Sequence, residues 1–300
     1  MHRFTTQGIT MKFSLRRKNL SAYYRLMRLD KPVGIYLLLW PTLWALIVAS
    51  KGLPSLCITL IFLAGVVVMR SAGCVINDYA DRKVDGSVKR TENRPLANGE
   101  VQANEALSLF SLHILAAFFL VLMLNWQTMA LSVVALLLAA SYPFMKRYTH
   151  LPQVVLGAAF GWAIPMGFMA VMETVPAYGW WLFVANLCWT VAYDTMYAMV
   201  DRDDDIKIGV KSTAVLFGRY DVTMIVALQA CMLAILLGVG QMIDASWPYY
   251  VALVISALLF YRHYQFIKGR TREGCFTAFI ENHQVGLVIT LGLLLQYWLA

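Results

Sequence analysis

Two segments of the chain space their acidic residues at the pitch of an α-helix. The first reads NDYADRKVD at positions 77–85, and the second reads DTMYAMVDRDDD at positions 194–205. At about 100° per residue, four polar side chains of each segment are predicted to share one helical face, whereas Asp203 falls on the opposite side. The residues predicted to share a face are Asn77, Asp78, Asp81 and Asp85 in the first segment and Asp194, Tyr197, Asp201 and Asp205 in the second.

Carboxylates on successive turns of a helix favour the binding of a cation. Like charges four residues apart repel by about a few tenths of a kcal/mol on an exposed helix, and a cation between them removes this repulsion. Carboxylate oxygens suit Mg²⁺, which keeps several waters and commonly bridges protein carboxylates to the phosphates of a substrate. The two segments therefore predict a magnesium site that binds a phosphorylated substrate.

Basic residues follow both acidic segments and could hold phosphate oxygens that the metal leaves free. Arg90 and Arg94 follow the first segment, with Thr91 between them, and Lys211 and Ser212 follow the second. This repeated order predicts a weak internal duplication, with two half-sites facing one cavity. The alternative is that both segments are solvated loops of mixed charge. The recurrence of the pattern at two span ends favours a site.

The composition predicts that a membrane positions these segments. Hydrophobic residues make up 60% of the 300 residues, and charged residues 14%, against about 25% in a soluble domain. Nine apolar segments recur, many near the ~20 residues that cross a bilayer as a helix. They are Val33–Ser50, Ser55–Ile76, Ala106–Leu124, Thr128–Phe144, Val154–Met172, Ala177–Val200, Val222–Ile243, Trp247–Phe266 and Val285–Leu299.

We therefore expect an all-α integral membrane protein with about nine transmembrane helices around a central cavity. Residues 33–300 form a single transmembrane domain in this interpretation. A basic N-terminal segment, residues 1–32, precedes it and lacks the pattern of a secretory signal. The five cysteines are scattered without CxxC spacing, so neither a disulfide framework nor a zinc site is expected.

The distribution of basic residues predicts the orientation. Of the 25 Lys and Arg residues, 23 lie in the N-terminal segment or in alternate connections, Lys51 lies on the other side and Arg70 lies inside a span. The positive-inside rule places the N-terminus and both acidic segments in the cytoplasm and the C-terminus outside. This signal accounts for the net charge of +8, so membrane lipid is an expected partner and nucleic acid is not.

The two acidic segments resemble the paired motifs of the UbiA superfamily of membrane prenyltransferases. That family combines N-D-x-x-D-x-x-x-D with a second D-x-x-x-D motif in a nine-helix fold, and the resemblance runs from about Arg25 to the C-terminus. Three stretches, 28–46, 141–147 and 194–213, are similar to the branch that prenylates 4-hydroxybenzoate in ubiquinone synthesis. The resemblance implies an enzyme of the bacterial inner membrane, with its site on the cytoplasmic side.

The resemblance also implies roles for individual residues. Mg²⁺ would bridge the protein to polyprenyl diphosphate, and the ring carbon ortho to the hydroxyl of 4-hydroxybenzoate would attack the allylic cation. The expected metal ligands are Asp81, Asp85, Asp201 and Asp205, with Asp78. The expected catalytic residues are Asp194, Tyr197 and Arg147. The expected substrate-binding residues are Asn77, Arg70, Arg90, Arg94, Tyr142, Lys146 and Lys211.

The sequence leaves open two alternative functions and the role of Arg70. A divalent-cation transporter would use acidic residues along a path near the bilayer midplane. A prenyltransferase of the same superfamily would use another acceptor. Arg70, the one basic residue inside a span, is assigned to the acceptor carboxylate, although a snorkelling or helix-pairing arginine explains it equally well.

Overall fold

The computed structural model describes residues 14–82, 85–87 and 91–299, and every regular element within them is helical. Short 3₁₀ turns occur at Arg17–Asn19, Asp85–Ser87 and Gly218–Tyr220. The α-helices are α1 (Leu20–Leu26), α2 (Val33–Ser50), α3 (Leu56–Asp81), α4 (Ala103–Val121), α5 (Trp126–Tyr148), α6 (Pro152–Gly161), α7 (Ala163–Met172), α8 (Ala177–Ile208), α9 (Thr213–Phe217), α10 (Asp221–Met242), α11 (Trp247–Ile267) and α12 (Arg272–Trp298). The all-α prediction is confirmed.

The chain is an integral membrane protein. Eight helical segments within the described ranges are long and apolar enough to span a bilayer: α2, α3, α4, α5, the joined α6–α7, Thr213–Met242, α11 and α12. Of the nine predicted spans, the sixth is the one outside this set. It corresponds to α8, which at 32 residues is long enough to cross but carries polar residues such as Asn186 and Asp194 among its apolar ones.

The predicted start of the last span was wrong. The structure begins α12 at Arg272 rather than at Val285, because the polar residues 281–283 interrupt the hydropathy without interrupting the helix. Asn282 is buried, donates to the Ala278 carbonyl at 2.7 Å and accepts from the Trp189 indole at 2.9 Å. A buried amide with both kinds of partner fits inside a helix bundle.

The central core surrounds α2. In the most apolar stretch of α2, 56% of the residues are buried, whereas in the most apolar stretch of α5 only 11% are buried. Trp44 of α2 stacks on Trp189 of α8 with ring centroids 5.5 Å apart, and its indole donates to Thr290 Oγ1 of α12 at 2.9 Å. These contacts fix the three helices against one another, and α8 carries the whole second acidic segment.

Close packing between α11 and α12 depends on a glycine, which gives a first testable prediction. A Cβ at Gly292 would overlap the Cβ of Ala252 and lie 3.1 Å from the Pro248 carbonyl oxygen. We expect Gly292→Ala to destabilise the bundle by about 1–3 kcal/mol through overpacking. Gly238 in α10 has no atom within 4 Å of such a Cβ, so Gly238→Ala should be neutral or stabilising. Thermal unfolding of both variants in detergent checks this, and equal melting temperatures would contradict it.

Candidate active site

Both acidic segments line one cavity of about 160 Å³, here called the acidic cavity. It is formed by the end of α3, the turn at Asp85, the end of α5, the last part of α8 and residues 210–212. The predicted site residues that line it are Asn77, Asp81, Asp85, Arg94, Tyr142, Lys146, Asp194, Tyr197, Asp201, Asp205 and Lys211. Two segments more than 100 residues apart in the chain thus meet at one place.

The second acidic segment forms the predicted helical face. α8 continues without a break to Ile208 and ends at Gly209, whose φ of 71° suits the glycine that commonly follows a helix. All four residues predicted to share its face line the acidic cavity. Asp203 points away and its side chain is 74% exposed, as the periodicity predicts.

The first acidic segment departs from its prediction, because one helical face does not carry all four of its polar residues. α3 ends at Asp81, and Asp85 lies on a separate 3₁₀ turn. Gly86 and Ser87 in that turn are poor residues for continuing a helix. Asp85 reaches the acidic cavity nevertheless, because Thr91 Oγ1 donates to its backbone carbonyl at 2.7 Å.

The two carboxylates of the first segment that line the acidic cavity are buried beside basic groups. Asp81 forms an ion pair with Lys146, while its Oδ1 is buried and has no hydrogen-bond partner among the described residues. Asp85 lies 3.0 Å from the Arg94 guanidinium. Burial raises the pKa of Asp85 above its usual range, and Arg94 partly opposes the rise. Removing these carboxylates from water is costly, so a further cation at this position would stabilise them.

Asp78, predicted among the metal ligands, has a different setting. It lines a second, larger cavity and not the acidic cavity. Its carboxylate accepts from Arg28 at 2.8 Å and from Arg94 at 2.9 Å. Two guanidinium groups compensate this buried charge, and the metal-ligand role of Asp78 stays a prediction that the lining of the acidic cavity does not support.

The larger cavity, here called the apolar cavity, has a volume of about 1020 Å³ and adjoins the acidic one. Mostly apolar side chains of α2 to α7 line it, Phe62, Phe118 and Phe160 among them. The predicted site residues that line it are Arg70, Asn77, Asp78, Arg94, Tyr142, Asp194 and Tyr197, and five of these also line the acidic cavity. A polar cavity and a mostly apolar cavity therefore share one wall.

Arg70 lines the apolar cavity, and its Nε is buried with no hydrogen-bond partner in the part of the chain that the structure describes. The guanidinium packs on Gly34 of α2, where a Cβ would overlap it, and lies 5.9 Å from the ring centroid of Phe160. A cationic group held in an apolar wall favours an anionic ligand. This setting disfavours the snorkelling alternative, whereas the contact with Gly34 also fits the helix-pairing one, so a role of Arg70 in binding stays a prediction.

The remaining basic residues differ in position. Lys146 and Lys211 line the acidic cavity, and the Lys211 amide donates to the Lys146 carbonyl at 3.3 Å. Arg147 lines neither cavity and donates to the Ala80 carbonyl at 2.8 Å. Arg147 thus ties α5 to the end of α3, and its catalytic role stays a prediction that neither cavity supports. Arg90 lies outside the described residues.

Sequence reasoning missed Arg28 as a site residue. Its backbone has a φ of 58°, uncommon for a residue with a side chain, and it lies in the short connection between α1 and α2. This backbone aims the guanidinium at Asp78 and at the wall of the apolar cavity. The sequence offers no distinguishing signal, because Arg28 is one of eight basic residues before the first span.

Comparison with known proteins identifies the family. The model of the UbiA prenyltransferase family matches residues 38–288. This chain belongs to that family. It is 60% identical to the 4-hydroxybenzoate octaprenyltransferase of Pseudoalteromonas atlantica over 283 residues, which cover 94% of this chain and 99% of the relative.

Solved structures share the UbiA fold. The apo structure of a UbiA homolog from Aeropyrum pernix K1 aligns with a TM-score of 0.76 at 26% identity, covering 87% of this chain and 97% of that one. A UbiA homolog from Archaeoglobus fulgidus bound to GPP and Mg²⁺ aligns with a TM-score of 0.67 at 19% identity, covering 91% and 99%. Two archaeal UbiA homologs thus have the same arrangement of helices.

The acidic cavity of this UbiA-family chain fits a Mg²⁺ ion that also binds a substrate. Within the described ranges, no three His, Cys, Asp or Glu side chains lie close enough to enclose a metal by themselves. Mg²⁺ rarely uses an all-protein cage and is usually held by one or two carboxylates together with waters and phosphates. The Asp81 Oδ1 is buried and has no hydrogen-bond partner among the described residues, so it is a carboxylate oxygen that could bind the metal.

Proposed function

We propose that this chain transfers a polyprenyl group from polyprenyl diphosphate to the ring carbon ortho to the hydroxyl of 4-hydroxybenzoate, a step of ubiquinone biosynthesis. The observation that carries this proposal is that the acidic cavity lies beside an apolar cavity of about 1020 Å³ and shares five lining residues with it. The 60% identity to a 4-hydroxybenzoate octaprenyltransferase supports this acceptor over others.

The acidic cavity binds the diphosphate in this proposal. Asp81, Asp85, Asp201 and Asp205 hold Mg²⁺, and the A. fulgidus homolog bound to GPP and Mg²⁺ supports this choice of ion. When bound, Mg²⁺ acts as a Lewis acid that stabilises charge on the diphosphate leaving group. The side chains of Arg94, Lys146 and Lys211 supply charge-assisted hydrogen bonds to the remaining diphosphate oxygens. Asn77 orients the carboxylates that bind the metal.

The apolar cavity holds the prenyl chain next to the reacting carbon. Its aliphatic and aromatic walls exclude water, which would otherwise quench the allylic cation. Tyr197 lies at the junction of the two cavities and stacks on Phe279, with ring centroids 4.5 Å apart. An aromatic face at this position stabilises positive charge, and Tyr142 lines the same junction.

The acceptor binds between Arg70 and Asp194 in this proposal. The Arg70 guanidinium pairs with the carboxylate of 4-hydroxybenzoate, which gives its buried Nε a partner. Asp194 lines both cavities and takes the phenolic proton, so that the ring becomes more electron-rich. The carbon ortho to the oxygen then attacks the allylic cation, and the ring loses a proton to restore its aromaticity.

The setting of the site completes the proposal. Residues 33–300 act as one transmembrane domain, and residues 1–32 form a basic segment on the cytoplasmic side of the bacterial inner membrane, where the acidic cavity opens. The excess of Lys and Arg on that side supports this orientation. The acidic residues gather at one end of the helices rather than along a path through them, which disfavours a cation transporter.

The direct test measures product formation. Membranes containing the protein are incubated with octaprenyl diphosphate, radiolabelled 4-hydroxybenzoate and Mg²⁺, with EDTA added to one arm. We expect a labelled lipid that forms with Mg²⁺ and disappears with EDTA. Absence of this product from the Mg²⁺ arm, with the protein shown to be inserted, would overturn the proposed function.

The acceptor site gives a prediction about a residue that does not itself bind substrate. In Gly34→Ala the new methyl group displaces the Arg70 guanidinium. Losing one hydrogen bond to a charged group costs about 1.5–3 kcal/mol, so we expect the KM for 4-hydroxybenzoate to rise about tenfold or more. The KM for the diphosphate should not change. Steady-state kinetics checks this with Gly238→Ala as the control, and an unchanged acceptor KM would contradict the role of Arg70.

A further inference from the structure

A buried carboxylate outside both cavities connects three segments at the same end of the bundle. Asp221 is the first residue of α10 and is fully buried. Its Oδ2 accepts from Arg202 of α8 at 2.6 Å, and its Oδ1 accepts from Nε of Arg270, between α11 and α12, at 2.9 Å. The Val222 amide donates to the same Oδ1 at 2.7 Å. Asp221 has no part in the proposed chemistry.

The partner on α8 is the neighbour of a proposed metal ligand. Arg202 follows Asp201 directly, so the two side chains leave the helix about 100° apart. Asp201 lines the acidic cavity, while Arg202 turns to Asp221 and also donates to the Gly218 carbonyl at 3.3 Å. Arg202 therefore fixes this turn of α8 to Asp221, while Asp201 on the same turn faces the acidic cavity.

Arg270, between α11 and α12, makes the contact between Asp221 and Arg202 rigid. Arg270 has a left-handed backbone with a φ of 52°, and its guanidinium also donates to the Arg219 carbonyl at 2.8 Å. Asp221 is thus enclosed by two guanidinium groups and one amide. A buried polar network with its members paired is rigid and tolerates little displacement.

We propose that Asp221 is a positioning residue for the metal site. It holds Arg202, and this contact fixes the rotation of the end of α8 that directs Asp201 and Asp205 into the acidic cavity. The inference rests on the proposed function, because that function makes these two carboxylates metal ligands.

Arg272, the first residue of α12, offers a matched control because its partners lie on the same turn of α8 as Arg202. Arg272 pairs with Asp204 at 3.2 Å and with Asp203 at 3.8 Å on the outer side of that helix. The Arg272 side chain is 47% exposed and Asp204 is 20% exposed, against 28% for Arg202 and 0% for Asp221, and more exposed pairs contribute less to structure. Arg272→Gln therefore removes the same charge as Arg202→Gln without breaking the buried network.

The experiment uses the purified full-length protein in detergent, with Mn²⁺ alone as the probe because carboxylate sites that suit Mg²⁺ also suit Mn²⁺. Electron paramagnetic resonance measures Mn²⁺ affinity, and hydrogen–deuterium exchange reports on amides 201–208. We expect Arg202→Gln to weaken Mn²⁺ binding about tenfold, as loss of supporting residues does at metal sites, and to accelerate exchange. Arg272→Gln should match the wild type in both measurements.

The following outcomes decide the matter. Wild-type Mn²⁺ affinity and exchange in Arg202→Gln would overturn the inference, as would an equal change in Arg272→Gln. Asp221→Asn should reproduce the effect of Arg202→Gln. If that variant does not fold, Arg202→Gln decides alone, because Arg270 still pairs with Asp221. A wild type that binds Mn²⁺ but forms no prenylated product overturns the proposed function alone, and one that does not bind Mn²⁺ overturns both.

Discussion

Asp201→Asn is expected to reduce kcat by about 10²–10³-fold or more, the scale of losing one preorganised group that stabilises transition-state charge. The substitution keeps the size of the side chain and removes the charge that helps to hold Mg²⁺ against the diphosphate. Because Asp201 lines the acidic cavity at the end of α8, the bundle itself should remain intact. Initial rates at saturating substrates and Mg²⁺ measure the effect.

The neighbouring acid provides a control for this prediction. Asp203 lies two residues further along α8, and its side chain is 74% exposed on the opposite side of the helix. Asp203→Asn removes the same charge from the same helix but should leave kcat within about twofold, since exposed charges contribute little. Similar losses in both variants would show that net charge at this surface matters rather than metal binding.

Arg94→Gln is expected to have the second large effect, on both stability and donor binding. The Arg94 guanidinium lies 2.9 Å from Asp78 and 3.0 Å from Asp85, two buried carboxylates. Removing one partner of a buried ion pair typically costs about 3–5 kcal/mol, because the remaining charge stays buried. The KM for polyprenyl diphosphate should also rise, since Arg94 is proposed to bind its oxygens.

The pair formed by Arg25 and Glu100 is a suitable reference for Arg94→Gln. Both of its side chains are substantially exposed, and exposed ion pairs contribute about 0–1 kcal/mol. Arg25→Gln should therefore leave the melting temperature almost unchanged. Equal melting temperatures for the two variants would contradict the assignment of Arg94 to a buried network.

Helical periodicity predicted the second acidic segment better than the first. Along α8 the helix is continuous, so the 100° rule gave the face that lines the cavity and the opposite position of Asp203. In the first segment the helix ends at Asp81, and Asp85 reaches the cavity through a turn and a side-chain hydrogen bond from Thr91. Helical periodicity predicts where a side chain points only if the helix continues through that residue.

Contacts between distant segments could not be predicted from spacing. Arg28 and Asp78 are 50 residues apart, and their pairing depends on the backbone of the turn before α2. Asn282 interrupts the apolar pattern, yet the bundle supplies a buried partner for it in Trp189. The sequence therefore predicted the helical class and the convergence of the two segments, whereas ion-pair partners and one helix start required the folded structure.

A crystal structure with Mn²⁺ and a non-hydrolysable polyprenyl diphosphate analogue tests the central claim most directly, through the anomalous scattering of the metal. We predict a peak inside the acidic cavity, within coordination distance of a carboxylate from residues 81–85 and of one from residues 201–205, with the diphosphate beside it. A metal bound by one segment alone, or a diphosphate bound outside this cavity, would contradict the account.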